Sequence, residues 1–416
     1  MAGFASLDVV RPGDARGQVV FVSCWYPYPP DNGSKIRVHA LLKALASRYR
    51  VSLVTFGPAD ANLDELAHLC SECEVVVRDP FRRRWLRAML GWFLPLPRSV
   101  FSTYSARMAR AVRRAVTRSR CAVVIASTMQ VAPYVIHFGR TPKILEEHNF
   151  GTRMMWEHYR SAPGGLERGR RWVAWRKTRR YERWAYPRFD VCTMVSVQDR
   201  QAVLAEMPAL AHRVELVPNG VDMANYASSW PKLGAQSLVF NGAMTYRANY
   251  DAVAFFLRDV FPLIRGQLPN VRLSVTGSTE GVDVASLALD DHVTLTGYVT
   301  DIRPLVAGAW VCVVPLRAGG GTRLKILEAM ALGTPVVSTS KGAEGLAVTP
   351  EQDILIADTP AGFAAQTVRL LRSPELRARL ARNGRRLVEA RYDWQRIGQK
   401  WLQVVETVMD GRRAEK

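Results

Sequence analysis

No stretch of this 416-residue chain reaches the roughly 18 uninterrupted apolar residues that a membrane-spanning helix needs. The nearest approach, "AMLGWFLPLP", is short and interrupted by proline. The opening "MAGFASLDVVRPGDARG" lacks a basic start followed by an apolar block, so no secretory signal is expected there. Cysteine is scarce and scattered, at Cys24, Cys70, Cys73, Cys121, Cys192 and Cys312. Cys70 and Cys73 form a C-x-x-C, but no second pair or histidine cluster completes a zinc site, and structural thiols are expected. Asp-x-Asp is absent, which argues against a metal held by paired carboxylates. Internal repeats and low-complexity segments are missing too. These absences leave a globular chain expected in the cytoplasm, peripheral at the inner membrane face if it meets a membrane at all.

Acid is scarce in one half only. Residues 1–217 hold 34 Lys and Arg against 18 Asp and Glu, or +16, whereas residues 218–416 hold 23 against 19, or +4. From Phe81 to Arg120 there are 11 arginines and no acid, interleaved with Trp85, Trp92, Phe93 and Phe101. From Arg153 to Arg188 there are 11 more cations with Trp156, Trp172, Trp175 and Trp184. Such runs suit an anionic membrane surface, a polyanionic acceptor or nucleic acid. The plainer alternative is a solvated surface with the tryptophans in the core. The spacing of Arg110, Arg113, Arg114 and Arg118 puts charge on one helix face. With no recognisable nucleic-acid motif, nucleic acid is the least expected partner.

The chain alternates apolar strands with amphipathic helices. "QVVFVSCWY", a Gly/Pro-containing loop, "IRVHALLKALASRY" and "RVSLVTF" make a βαβ unit, followed by the strands "CAVVIAS", "PKILEEHN", "FDVCTMVS" and "VELVPNG". Continuous rather than alternating apolarity suits parallel strands covered on both faces. The rhythm restarts with "SLVFNGAM", its helix "DAVAFFLRDVFPLI", and the strands "VRLSVTG", "HVTLTGYV", "WVCVVPL" and "PVVSTS". The fold class expected is α/β, with two facing doubly wound domains, residues 1–217 and 218–392. A helical tail, 393–416, carries apolar Trp401, Leu402, Val405 and Val408 and is expected to return to the first domain.

The segment "RAGGGTRLKILEAMALGTPVVST", Arg317–Thr339, runs glycines into a helix start bearing Arg323 and Lys325, then one acid, Glu328. Glycine allows close backbone approach, Thr322 is expected to cap the helix, and Gly333 with Pro335 to stop it. A helix start offers free N–H groups and partial positive charge, and two cations added there make a phosphate or diphosphate site. Cations in a first turn oppose the helix dipole, a local conflict characteristic of functional sites. The alternative is that Arg323 and Lys325 are surface charges, with Lys325 paired to Glu328. Glu328 borders the apolar face, where a carboxylate can accept both hydroxyls of a ribose.

"GGGTRLKILEAMALGTPVVSTSKGAEGL" resembles the donor-binding segment of retaining glycosyltransferases of the GT-B fold, glycosyltransferase family 4. The similarity extends through "VPNGVD", "FNGAMTYRANYDAV", "LTGYVTDIRPLVAGAWVCVVPL" and "PYPPDNGSKIRVHALLKALA". It implies a C-terminal domain that binds a nucleotide-sugar and an N-terminal domain that binds a carbohydrate or lipid-linked acceptor, in surface polysaccharide or glycolipid synthesis. Glu328 would be the ribose-binding acid. Gly320 stands where relatives often carry an acid that contacts the donor sugar, so the amides of Gly319, Gly320, Gly321 and Thr322 are expected to serve instead. The usual Arg and Lys after the first strand of the second domain are reduced to Arg247. The diphosphate therefore falls to Arg323 and Lys325. No metal or cofactor is expected, and the leaving phosphate and incoming hydroxyl would share one face of the sugar.

The resemblance also places Gly33 near the diphosphate, His148 at the cleft edge against donor sugar or acceptor, and Glu344 near the nucleotide. Each has a plainer role open to it: a turn for Gly33, a satisfied structural histidine for His148, a cap for Glu344. A nucleotide-sugar epimerase of the same fold would share the donor site.

Overall fold

Val, Ile, Phe and Leu in unbroken runs cannot leave one strand face in water, and here they form two all-parallel sheets. The structure, a computed structural model, describes residues 17–79, 91, 94–118, 121–226 and 230–414. The chain divides into two compact units, 1–218 with 397–416, and 219–396. Trp85, Trp92 and Phe93 of the first basic stretch lie outside the described residues.

In the first unit the strands are β1 Gln18–Ser23, β2 Arg50–Gly57, β3 Glu72–Val77, β4 Val123–Ser127, β5 Lys143–Glu146, β6 Val191–Met194 and β7 Val214–Leu216. Their spatial order is β3-β2-β1-β4-β5-β6-β7. Phe21 of β1 sits opposite Leu53 of β2 and Ile125 of β4, all three buried. The second unit has β8 Ser237–Asn241, β9 Arg272–Thr276, β10 Val293–Gly297, β11 Val311–Val314, β12 Val336–Ser338 and β13 Leu355–Ile356, ordered β10-β9-β8-β11-β12-β13. In each sheet the order reverses once, between β1 and β4 and between β8 and β11. Such a reversal opens a crevice at the carboxyl ends of the strands, where doubly wound folds bind ligands.

Helix ends follow local chemistry. The Asn32 side chain accepts from the Lys35 N–H at 3.2 Å and starts the helix Gly33–Ala46. Thr359 and Ser373 cap the helices Pro360–Arg372 and Pro374–Arg391, each with proline at its first position. The expected single helix over "DAVAFFLRDVFPLI" is instead Arg247–Phe255, a widened π turn at Phe256–Val260, and Phe261–Arg265. Pro262 has no N–H to give and its ring crowds the preceding turn, so the ladder is interrupted there. The C-terminal helix Trp394–Ala414 belongs to the first unit from Ile397 onward. Trp401 and Val405 are fully buried, and Arg48 pairs with Glu406 at 2.5 Å.

The tryptophans of the second basic stretch are not core residues. Helices Gly151–Arg160 and Gly165–Ala185 pack on one another, with Trp156, Trp172 and Trp184 exposed and Leu166 in solvent. Arg176 stacks over Trp172, Arg179 over Trp175 and Arg188 over Trp184. The face of Ala106–Arg118 bearing Arg110, Arg113, Arg114 and Arg118 is exposed, while Met108, Ala111, Val112 and Val116 are buried.

Candidate active site

In the second unit, β8 ends in Asn241 and turns through Gly242, and β11 leads into the glycine loop. Thr322 does not cap the following helix. The helix is Leu324–Ala331, its cap residue is Arg323, and no side chain caps it. The Thr322 hydroxyl is buried without a partner among the described residues. Gly333, at φ +70°, does end the helix as expected.

Arg323 is not a surface charge. It is buried, and its guanidinium turns back on its own loop, donating to the carbonyls of Gly319 at 2.7 Å, Gly321 at 3.1 Å and Gly320. Positive φ at Gly319 (+105°) and Gly321 (+78°) aims those carbonyls inward. Lys325 does not pair with Glu328 either. Its Nζ donates to Asn249 Oδ1 at 2.8 Å and lies 4.0 Å from the centre of the Phe240 ring. Burial pulls the Lys325 ammonium down to about 7, Cys312 opposing and Arg323 adding to that fall. Glu328 accepts from Asn241 Nδ2 at 3.0 Å, and burial raises its carboxyl above the usual range while Lys325 pulls it back. A cation, a carboxylate and two primary amides are thus held in one cluster.

Two glycines make this cluster possible. A Cβ on Gly242 would lie 2.6 Å from Lys325 Nζ and 2.8 Å from Asn249 Nδ2. One on Gly277 would lie 2.5 Å from the Gly242 backbone. Asn241, Asn249, Gly242 and Gly277 were not among the residues expected from the sequence. The usable signal was their place just past apolar strands, at "FNGAM" and "SVTG". Arg247 stands apart: its side chain is 90% exposed and faces Asp251 at 3.7 Å. Glu344 pairs with Lys341 at 2.6 Å.

In the first unit, the crevice between β1 and β4 is built around Glu146. Arg37, 1% exposed, donates to Glu146 Oε1 at 2.5 Å and to the carbonyls of Pro218 and Val217 at 3.0 and 2.9 Å. Ser127 donates to Glu146 Oε2 at 2.6 Å. Burial raises Glu146, but Arg37, His148 and Ser127 outweigh it and hold the carboxyl well below its usual range. His148 sits 3.2 Å from Glu146 Oε2, 3.3 Å from Ser34 Oγ and 3.3 Å from Ser127 Oγ, stacked on Trp25 at 5.2 Å. Both ring nitrogens have partners, yet His148 also lines a cavity of about 960 Å³. Gly33 begins the helix that carries Ser34 and Arg37. Arg37 was missed from sequence, although an arginine four residues before Leu41 on a buried helix face is the signal.

Among the described residues, no three His, Cys, Asp or Glu stand together as metal ligands, and no helix is long and apolar enough to cross a membrane.

Residues 31–225 match the family model described as Glycosyltransferase Family 4, and residues 235–373 the one described as Glycosyl transferases group 1. The phosphatidyl-myo-inositol mannosyltransferase of Mycobacterium leprae is 29% identical over 214 residues, 49% of this chain and 56% of that protein. An MMP alpha-(1->4)-mannosyltransferase from Mycolicibacterium hassiacum is 34% identical over 140 residues, 32% of this chain and 34% of its own length. The matches to curated relatives thus span about half of their length or less. A sucrose-phosphate synthase from Thermosynechococcus elongatus superposes with TM-score 0.72 at 18% identity, covering 95% of this chain and 100% of that one. Anabaena HepE, solved with UDP-glucose, gives 0.66 at 14% identity over 94% and 100%. Two doubly wound parallel units with these structural likenesses define a protein of the GT-B fold. The chain belongs to the family 4 glycosyltransferases, its second unit matching the group 1 model.

Proposed function

We propose that the chain transfers a sugar, with retention of configuration, from a nucleotide-sugar held by the second unit to a carbohydrate or lipid-linked acceptor held by the first. The observation that carries this reading is the Glu328–Asn241 and Lys325–Asn249 cluster at the β8–β11 reversal, beside the glycine loop. Glu328 accepts the ribose hydroxyls. Lys325 and the N–H groups of the loop and helix start meet the diphosphate and its developing charge. Arg323 is a positioning residue that fixes the loop's carbonyls and so its amides. Cationic side chains take the part that a metal plays elsewhere, so EDTA leaves turnover unchanged. His148 meets donor sugar or acceptor from the first unit. UDP and UDP-glucose in solved Anabaena HepE, and a phosphatidyl-inositol acceptor in the name of the mycobacterial relative, fit this division of labour.

We also infer that the basic first unit meets an anionic membrane. The exposed Leu166, Trp156, Trp172 and Trp184 stand among arginines, a composition suited to it.

The test is thermal shift with UDP-, GDP- and ADP-sugars on wild type and Glu328→Ala. One nucleotide should stabilise wild type and leave the variant unmoved. An equal response of both removes Glu328 from the ribose, and no response from wild type sinks the donor assignment.

A further inference from the structure

The cavity of the first unit collects buried polar atoms that the fold leaves unused. Among its lining residues, Thr128 Oγ1, Glu147 Oε1, Asn149 Oδ1 and Tyr181 Oη are buried and form no hydrogen bond of ordinary geometry among the described residues, although Thr128 stands beside Cys24 and Glu147 beside Tyr186. Thr128, Glu147 and Tyr181 are 3%, 3% and 5% exposed. A buried polar atom without a partner is unfavourable, and four lining one space call for a common explanation.

Backbone strain adds a second, independent sign. Thr128 follows β4 at φ +80°, a conformation that a β-branched residue adopts only at a cost. Glycine would adopt it freely, yet threonine, with a hydroxyl, stands there on the cavity lining. At the mouth, Arg98 and Arg170 line the same space, are exposed, and have no partner among the described residues. Glu167 is the acid of that rim, and Arg171 pairs with it.

The remaining carboxyl on the lining, Glu182, is committed. It accepts the N–H groups of Gly151 and Thr152 at 3.0 and 2.8 Å and so caps the helix Gly151–Arg160. Burial, with the charges of Glu182 and Glu146, raises Glu147 well above the usual carboxyl range. A neutral carboxyl both donates and accepts, which suits hydroxyls and gives an amine no charge to meet.

We propose that this cavity takes an anionic polyol: a sugar or cyclitol ring whose hydroxyls engage Thr128, Glu147, Asn149 and Tyr181, and whose phosphate meets Arg98 and Arg170 at the mouth. The inference rests on the reading of the first unit as the acceptor side, and gives that acceptor a chemistry. The phosphate can belong to a free sugar phosphate or to a lipid headgroup, and both present the same groups.

Calorimetry on the full chain tests it, with glucose 1-phosphate, myo-inositol 1-phosphate, the two free polyols and inorganic phosphate as probes. Phosphatidylcholine vesicles with and without phosphatidylinositol form the lipid arm. At least one phosphorylated polyol should bind more tightly than both its free polyol and inorganic phosphate. If only the vesicles discriminate, the source is a lipid headgroup. Asn149→Ala and Thr128→Gly should each weaken that binding about fivefold or more. Thr128→Gly should also hold or raise the melting temperature, because it relieves the backbone while removing the hydroxyl. If no phosphorylated polyol, free or in a vesicle, exceeds inorganic phosphate, or the variants bind like wild type, the inference is wrong. Nucleotide affinity measured alongside separates the readings. Its loss with sugar-phosphate binding intact breaks the donor assignment alone, and the converse breaks this one alone.

Discussion

The two sheets share a strand order and a single reversal, yet the groups set at that reversal are opposite in kind. In the second unit the strand ends are glycine: Gly242 and Gly277 stand where a Cβ would strike Lys325 or backbone, and the loop after β11 turns on Gly319 and Gly321. In the first unit the place after β4 is taken by Thr128, strained and bearing a hydroxyl, beside Glu147, His148 and Asn149. Glycine lets backbone N–H groups approach an anion, whereas side-chain hydroxyls and carboxyls suit a polyol. The scaffold says where a ligand binds, and the residues just past the strand ends say which.

Each unit also holds a cation among buried polar groups, and the two should respond differently to removal. Arg37 is matched by Glu146 and two carbonyls. Arg37→Met leaves Glu146 buried and charged, and urea unfolding should show a loss of about 3–5 kcal/mol. A loss below about 1 kcal/mol would mean that the ion pair does not organise the first crevice.

Gly277→Ala comes next. Its Cβ would meet the Gly242 backbone at 2.5 Å in a residue at φ +132°, so the strand ends must part. Stability should fall by about 1–3 kcal/mol, with nucleotide affinity falling in parallel. Unchanged affinity in a destabilised variant would confine the glycine's role to packing.

Lys325→Met should leave stability nearly unchanged and weaken nucleotide diphosphate binding about 10- to 100-fold, the range for a hydrogen bond to a charged group. The sign of the pH effect follows from the depressed ammonium. Between about 7 and the ordinary lysine value of 10.5 the unfolded chain carries a proton that the native chain lacks, so stability rises with pH across that window. Binding runs the other way: an anion needs the charged form, so affinity falls as pH rises through about 7, with proton uptake on binding. Calorimetry in buffers of different ionisation enthalpy measures that uptake, and Lys325→Met should abolish it. Uptake that persists in the variant assigns the proton to another group.

Most of the fold was readable because the strands that matter are unbroken apolar runs. Two strands were not. β3, "ECEVVV", lies at a sheet edge with two glutamates and only Val76 fully buried, so it lacks the signature of a two-sided strand. β13 has only Leu355 and Ile356, too short for any pattern. At the site, the glycine loop, Lys325 and Glu328 were legible because glycine and charge at a helix start conflict with simple packing. The partners were not. Asn241 and Asn249 reach the cluster from another strand and helix, and Arg323 shows in sequence as a cation but not that its own loop absorbs it. Glu147 reads as one acid of a pair in "LEEHN". Only the fold separates the paired Glu146 from its neighbour with an unused oxygen.

The smallest effect is expected at Arg247, and it decides which cation the donor meets. From sequence, Arg247 stands in for the arginine that relatives carry after the first strand of the second domain. Its side chain extends into solvent toward Asp251 at 3.7 Å, a contact that water and salt screen. Lys325 instead lies inside the cluster, against Gly242 and Asn249. If the diphosphate binds there, Arg247→Ala should change melting temperature and nucleotide affinity by less than about twofold, in low and high salt alike. A tenfold loss confined to low salt would show that Arg247 folds over the bound diphosphate. The second unit would then resemble the first, with an exposed arginine beside a buried polar site.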